Sequence, residues 1–91
     1  MTDTEVIRKR NKAYATLEPR RMAMLRTGLG LTQQELADIC GTSRQTISNF
    51  ENGLVEESAA KALVVSVLVE LCADDPLLAD ISASLIGSNP D

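Results

Sequence analysis

Between Arg44 and Asn52 the chain spaces its arginine and amide residues so that Arg44, Gln45, Ser48, Asn49 and Asn52 fall on one side of a helix. Ile47 and Phe50, three apart, fall on the other. The chemistry such groups can do is paired hydrogen bonding to base edges. A Gln or Asn amide matches N6 and N7 of adenine in the major groove, and an Arg fork matches O6 and N7 of guanine. No acidic residue stands on this face between Arg44 and Asn49, and the face is polar and almost uncharged. A helical hairpin with a solvated polar side would carry the same residues, so the outward positions alone leave both readings open.

What must position that face is legible just before it. Thr32 followed by Glu35 is a capping box, in which the hydroxyl accepts from a free N–H of the first turn and the carboxylate reaches back to the cap's own N–H. A helix is expected to begin there, with Leu36, Ala37, Ile39 and Cys40 as its apolar side. Gly41 then sits where a positive φ, open only to a residue without Cβ, would turn the chain. Thr42 or Ser43 can cap the next helix. Ala37 is small at the place where the two helices would cross closely. Two short helices joined by a glycine turn make a helix-turn-helix.

The strings Leu-Thr-Gln-Gln-Glu-Leu-Ala (31–37), Gly-Thr-Ser (41–43) and Ile-Ser-Asn-Phe-Glu-Asn-Gly (47–53) resemble the helix-turn-helix of the phage repressor and Cro proteins, also called the xenobiotic-response-element family. The resemblance covers roughly residues 18–55. It implies that Gln33 opens the first motif helix against a phosphate, helped by backbone N–H groups. It also implies that Ser43, Arg44, Gln45 and Asn49 lie at or near base edges and Asn52 near the backbone. Members of the family pair an arginine of the preceding helix with the glutamate of Glu-Asn-Gly, which here would join Arg26 to Glu51 as a structural ion pair. The expected assignment is therefore base reading by Arg44, Gln45, Ser48 and Asn49, and phosphate contact by Gln33, Ser43, Asn52, Arg20 and Arg21. The chain departs from the family just past Gly53. Leu54, Val55, Glu56 and Glu57 stand where basic residues commonly grip phosphate, and the two glutamates are expected to favour the next helix N-terminus through its dipole.

With 91 residues, one Phe, one Tyr and no Trp, the chain has room for one domain with a core of Leu, Ile, Val, Ala and Met. That size lies near the lower end of what folds unaided. Cys40 and Cys72 lie in apolar helical patterns without a neighbouring His or Cys, as reduced buried thiols do, and no metal or cofactor is expected. The polar N-terminus and an apolar run of only Ala62 to Val69 give no signal peptide and no membrane span, so a cytoplasmic location is expected. An enzyme is not legible. There is no His to serve as a general base, no phosphate-binding Gly-Lys-Ser loop, and no room for the Ser-Lys domain of larger phage repressors.

A net charge of −4 argues at first against a nucleic-acid partner, but the charge is unevenly spread. Residues 1–50 hold eight Lys/Arg against five acids, and residues 51–91 hold one Lys against eight acids. A basic half is joined to an acidic half, and with a Debye length of about 8 Å the second need not cancel attraction at a face held away from it.

Three segments follow: residues 1–16, a basic arm or frayed helix carrying Arg8, Lys9, Arg10 and Lys12; residues 17–56, the helix-turn-helix core; and residues 57–88, two C-terminal helices. The first helix proper should start near Thr16 or Glu18 with Pro19 in its opening turn, and Met22, Leu25 and Leu29 should face inward. The stretch from about Glu57 to Ala73 is apolar on nearly every side, which predicts burial all round and a second copy of the chain against it. Asp74 and Asp75 before Pro76 read as the opening of a last helix with an apolar stripe of Leu77, Leu78, Ile81 and Leu85. The expected dimer interface is Val64, Val67, Leu68, Leu71, Leu78, Ile81 and Leu85. The whole predicts an all-α, five-helix, repressor-like domain, acting as a homodimer on a palindromic operator in double-stranded DNA with recognition helices about 34 Å apart. Two other readings stay open: an antitoxin whose acidic C-terminal half binds a protein such as a toxin, and an adaptor that has lost DNA binding.

Overall fold

The computed structural model describes residues 12–55 and 58–87. Every regular element among the described residues is a helix, and none is a strand. After a helical stretch over residues 12–15 come α1 (Pro19–Gly28), α2 (Gln33–Cys40), α3 (Arg44–Glu51), α4 (Ala59–Cys72) and α5 (Pro76–Gly87). Most of residues 1–16, the expected basic arm, and also Glu56 and Glu57, lie outside the described residues.

Local chemistry sets each boundary. Thr16 ends the first stretch by donating its hydroxyl to the carbonyls of Lys12 and Ala13, so it closes a helix rather than opening one. Pro19 opens α1, where its missing N–H costs nothing. At the far end Gly30, at φ 75°, reverses the chain toward α2. Ser58 caps α4 by accepting from the Lys61 N–H at 3.1 Å. The Asp75 carboxylate accepts from the N–H groups of Leu77 and Leu78 at 2.9 and 3.3 Å, so one of the two adjacent acids has a capping role.

The core joins one side of every helix. Met22 and Leu25 of α1, Leu36 and Ala37 of α2, and Ile47 and Phe50 of α3 close on Val64, Val65, Leu68 and Cys72 of α4, with Leu17 beneath them. Each large apolar side chain so buried contributes about 1.5–3 kcal/mol. Ile39, expected on the apolar side of α2, is instead 51% exposed, because it follows Leu36 by three residues on the far edge of the stripe, and Cys40 is half-buried.

The C-terminal helices correct several expectations. α4 is not buried on every side: Leu63 is exposed, while Lys61 is buried and donates from Nζ to the Leu17 carbonyl at 2.6 Å. Val64 and Leu68, expected at a dimer interface, belong to the monomer's own core, because they are the α4 side chains that cover the helix-turn-helix. In α5 the inward stripe is Leu78, Ser82, Leu85 and Ile86, one residue round from the expected one. Leu77 is 68% and Ile81 40% exposed. No helix among the described residues is long and apolar enough to cross a membrane.

Candidate nucleic-acid interface

α2 and α3 are fixed relative to each other by a turn with no slack. Thr32 Oγ1 accepts from the Glu35 N–H and the Glu35 carboxylate accepts from the Thr32 N–H, both at 3.0 Å, which completes the capping box. The Thr32 backbone N–H, with the Thr32 side chain adding to it, holds the Glu35 carboxyl below its ordinary pKa. At the other end Gly41 takes φ 71°, and the Thr42 N–H returns to the Ala37 carbonyl at 2.9 Å. Of the two candidate caps it is Ser43 that starts α3, its hydroxyl accepting from the Thr46 N–H at 3.1 Å.

α3 then divides cleanly. Ile47 and Phe50 are inside, while Arg44, Gln45 and Asn52 are exposed and Ser48 and Asn49 half-exposed on the opposite side. Gln45 Nε2 donates to Asn49 Oδ1 at 2.9 Å, and Asn52 Nδ2 to Ser48 Oγ at 3.2 Å, so two pairs of outward side chains brace each other one turn apart. The face brings together all four expected base readers, and Arg44 has no ion pair or hydrogen bond to the described residues.

The expected phosphate contacts separate into two groups. Gln33 opens α2, where the first N–H groups of a helix have no intrahelical acceptor and suit an anion. Ser43 and Asn52 flank α3, and Arg20 is exposed on α1. Arg21 is a correction: its Nη1 donates to the Leu85 carbonyl at 2.5 Å and its Nε lies 3.6 Å from Glu18, so its guanidinium ties α1 to α5 instead of pointing to solvent.

Arg26 and Glu51 form the expected pair. Nε meets Oε2 at 2.7 Å and Nη2 meets Oε1 at 3.0 Å, with side chains only 13% and 6% exposed. The third nitrogen, Nη1, donates to the Leu31 carbonyl at 2.7 Å. The hydrogen bonds to Glu51 outweigh burial and raise the Arg26 pKa further. One guanidinium thus pins α1 to the last residue of α3 and to the turn before α2. Gln33 Nε2 also donates to Glu51 Oε1, at 3.2 Å. This link was not expected from the sequence, because nothing in the spacing of 33 and 51 announces it. The Gln45–Asn49 bond, by contrast, has a readable signal in the spacing of an amide and its acceptor four residues on.

A capped helix, a left-handed glycine and a second helix with a buried apolar side and an outward polar one define a helix-turn-helix, the module that carries its second helix to the major groove. The helix-turn-helix family matches residues 22–70, and the chain belongs to that family, in its Cro/CI-type form. A curated relative from Methanothermobacter thermautotrophicus, named "Putative HTH-type transcriptional regulatory protein", is 30% identical over 67 residues, which make up 74% of this chain and 22% of that protein. The chain therefore spans about a fifth of that relative's length. No solved structure matches the chain significantly.

Proposed function

We propose that this chain is a sequence-specific, DNA-binding transcription regulator without enzymatic activity, acting as a homodimeric repressor or autoregulator on a palindromic site. The observation that carries the reading is the outward face of α3, where Arg44, Gln45, Ser48 and Asn49 stand together with no acid among them, on a helix whose inner side is locked by Ile47 and Phe50. Arg44, Gln45 and Asn49 read base edges, with Ser48 beside them. Gln33, Ser43, Asn52 and Arg20 hold phosphates. The name of the curated relative points the same way.

Two copies meet through the C-terminal helices. Leu71 and Ile81 keep their proposed place at that contact, joined by the exposed Leu63 and Leu77, while Val64 and Leu68 are buried in the monomer's own core and Val67, Leu78 and Leu85 pack against it. A second reading, a protein-binding module such as an antitoxin, is favoured by the exposed Asp74, Asp75 and Asp80 around Leu77, a surface suited to a basic partner.

Fluorescence anisotropy on a mixed-sequence duplex, titrated with salt, tests the DNA-binding reading. Affinity at low salt that falls steeply as salt rises is expected, because neutralised phosphates release counterions. No affinity at low salt would leave the protein-binding reading in its place.

A further inference from the structure

Gln45 and Asn49 do more than share a face: the bond between them fixes what each can offer a base. Gln45 Nε2 donates to Asn49 Oδ1 at 2.9 Å. Gln34 Nε2 likewise donates to Asp38 Oδ1 at 2.8 Å across the same four-residue spacing, so a glutamine reaching an acceptor one turn on recurs within the motif. With one N–H given to Asn49, the Gln45 amide keeps its second N–H and its Oε1. Those two groups are the donor and acceptor that N7 and N6 of adenine require. Asn49, its carbonyl turned toward Gln45, presents its NH2 group. That side is donor-only, which suits O6 or N7 of guanine, N7 of adenine or O4 of thymine and is refused by the amino group of cytosine.

Resting on the DNA-reading assignment of α3, we infer that Asn49 is a positioning residue that holds Gln45 ready for adenine, while its own NH2 group disfavours cytosine at the neighbouring position. A free Gln side chain must give up rotamer freedom when it binds. One already braced by its neighbour loses less, so the gain appears as sharper preference for adenine rather than as general affinity.

The test has two arms on the full chain. In the free protein, NMR relaxation of the Gln45 side-chain amide should report restricted motion that is lost in Asn49→Ala and kept in Asn49→Asp, which retains the acceptor. In the second arm, duplexes are selected from a randomised pool. The wild type should enrich adenine and deplete cytosine beside it, Gln45→Ala should lose the adenine, and Asn49→Ala should weaken the adenine preference roughly threefold to tenfold as well as losing the depletion of cytosine. An Asn49→Ala protein that keeps full adenine preference, or a Gln45 amide equally mobile with and without Asn49, would overturn the inference. If the wild type enriches no sequence at all, it is the DNA-reading assignment that fails, and the relaxation arm still decides whether Asn49 holds Gln45.

Discussion

The helix-turn-helix half and the C-terminal helix pair solve the same problem, hiding apolar surface in a small chain, with different degrees of completeness. In α2 and α3 Leu36, Ile47 and Phe50 are covered, Ile39 is the one large apolar side chain left in solvent, and the outward face of α3 is polar. In α4 and α5 Leu63, Leu77 and Ile81 are left in solvent while Lys61 and Ser82 are inside. The first pair of helices is the more nearly finished and turns a hydrogen-bonding edge outward. The second is unfinished, and a contact with another chain would complete it. A domain of this size buries a modest fraction of its surface, so leaving apolar residues outside is a cost that association would offset.

The contrast is broken most severely from inside the finished half. Phe50→Ala should destabilise the fold by about 3–5 kcal/mol in chemical denaturation, at every protein concentration, because the cavity lies under α3. Glu51→Ala should follow at roughly 3 kcal/mol, since it leaves the Arg26 guanidinium nearly buried and without its carboxylate. Replacing both Arg26 and Glu51 by apolar residues should recover much of that loss, and failure to recover would mean the pair is worth more than its burial costs.

In the unfinished half the signature differs. Leu77→Asp with Ile81→Asp should leave the monomer's helical signal intact and lower the sedimenting mass at micromolar concentration, whereas a variant that unfolds would place those residues in the core. On DNA, Arg44→Ala should cost about 1–3 kcal/mol on the selected site and relax preference for the base it reads. An equal loss on selected and random duplex would move Arg44 to the phosphate contacts.

The smallest effect concerns pH. Glu35 has its folded pKa held below the ordinary value of 4.5, so its capping contribution is fully present above that value and is lost as pH falls through the folded pKa. The stability difference between wild type and Glu35→Ala should therefore shrink on acidification below about pH 4.5. A difference that grows instead would contradict the capping geometry.

The legible and illegible parts of this molecule divide along the same line. Thr32, Glu35, Gly41 and Ser43 act through neighbours three to five residues away, and local hydrogen bonds of that kind are written in spacing. The inner side of α3 was readable because a polar and an apolar side are sharply separated there. α4 offers no such separation: nearly all its residues are apolar, so the sequence could not say which side covers the core, and Val64 and Leu68 changed places with Leu63. The inward stripe of α5 slipped by one residue because Leu77 and Leu78 are adjacent and identical. Arg21 was misassigned for a different reason, since the contact that ties it to α5 is to a backbone carbonyl, and backbone acceptors carry no sequence signal. The bond between Gln33 and Glu51 was hidden because it depends on how α1 and α3 are pinned by Arg26.

Footprinting the protein on the DNA upstream of its own gene puts the reading of α3 and the pairing of copies to one trial. Two protected segments on one face of the duplex, centred about one helical turn apart, are expected, and both should weaken in Arg44→Ala. Uniform, unprotected cleavage at concentrations where the protein is folded and paired would contradict DNA reading by α3, and a single protected segment without symmetry would contradict the pairing.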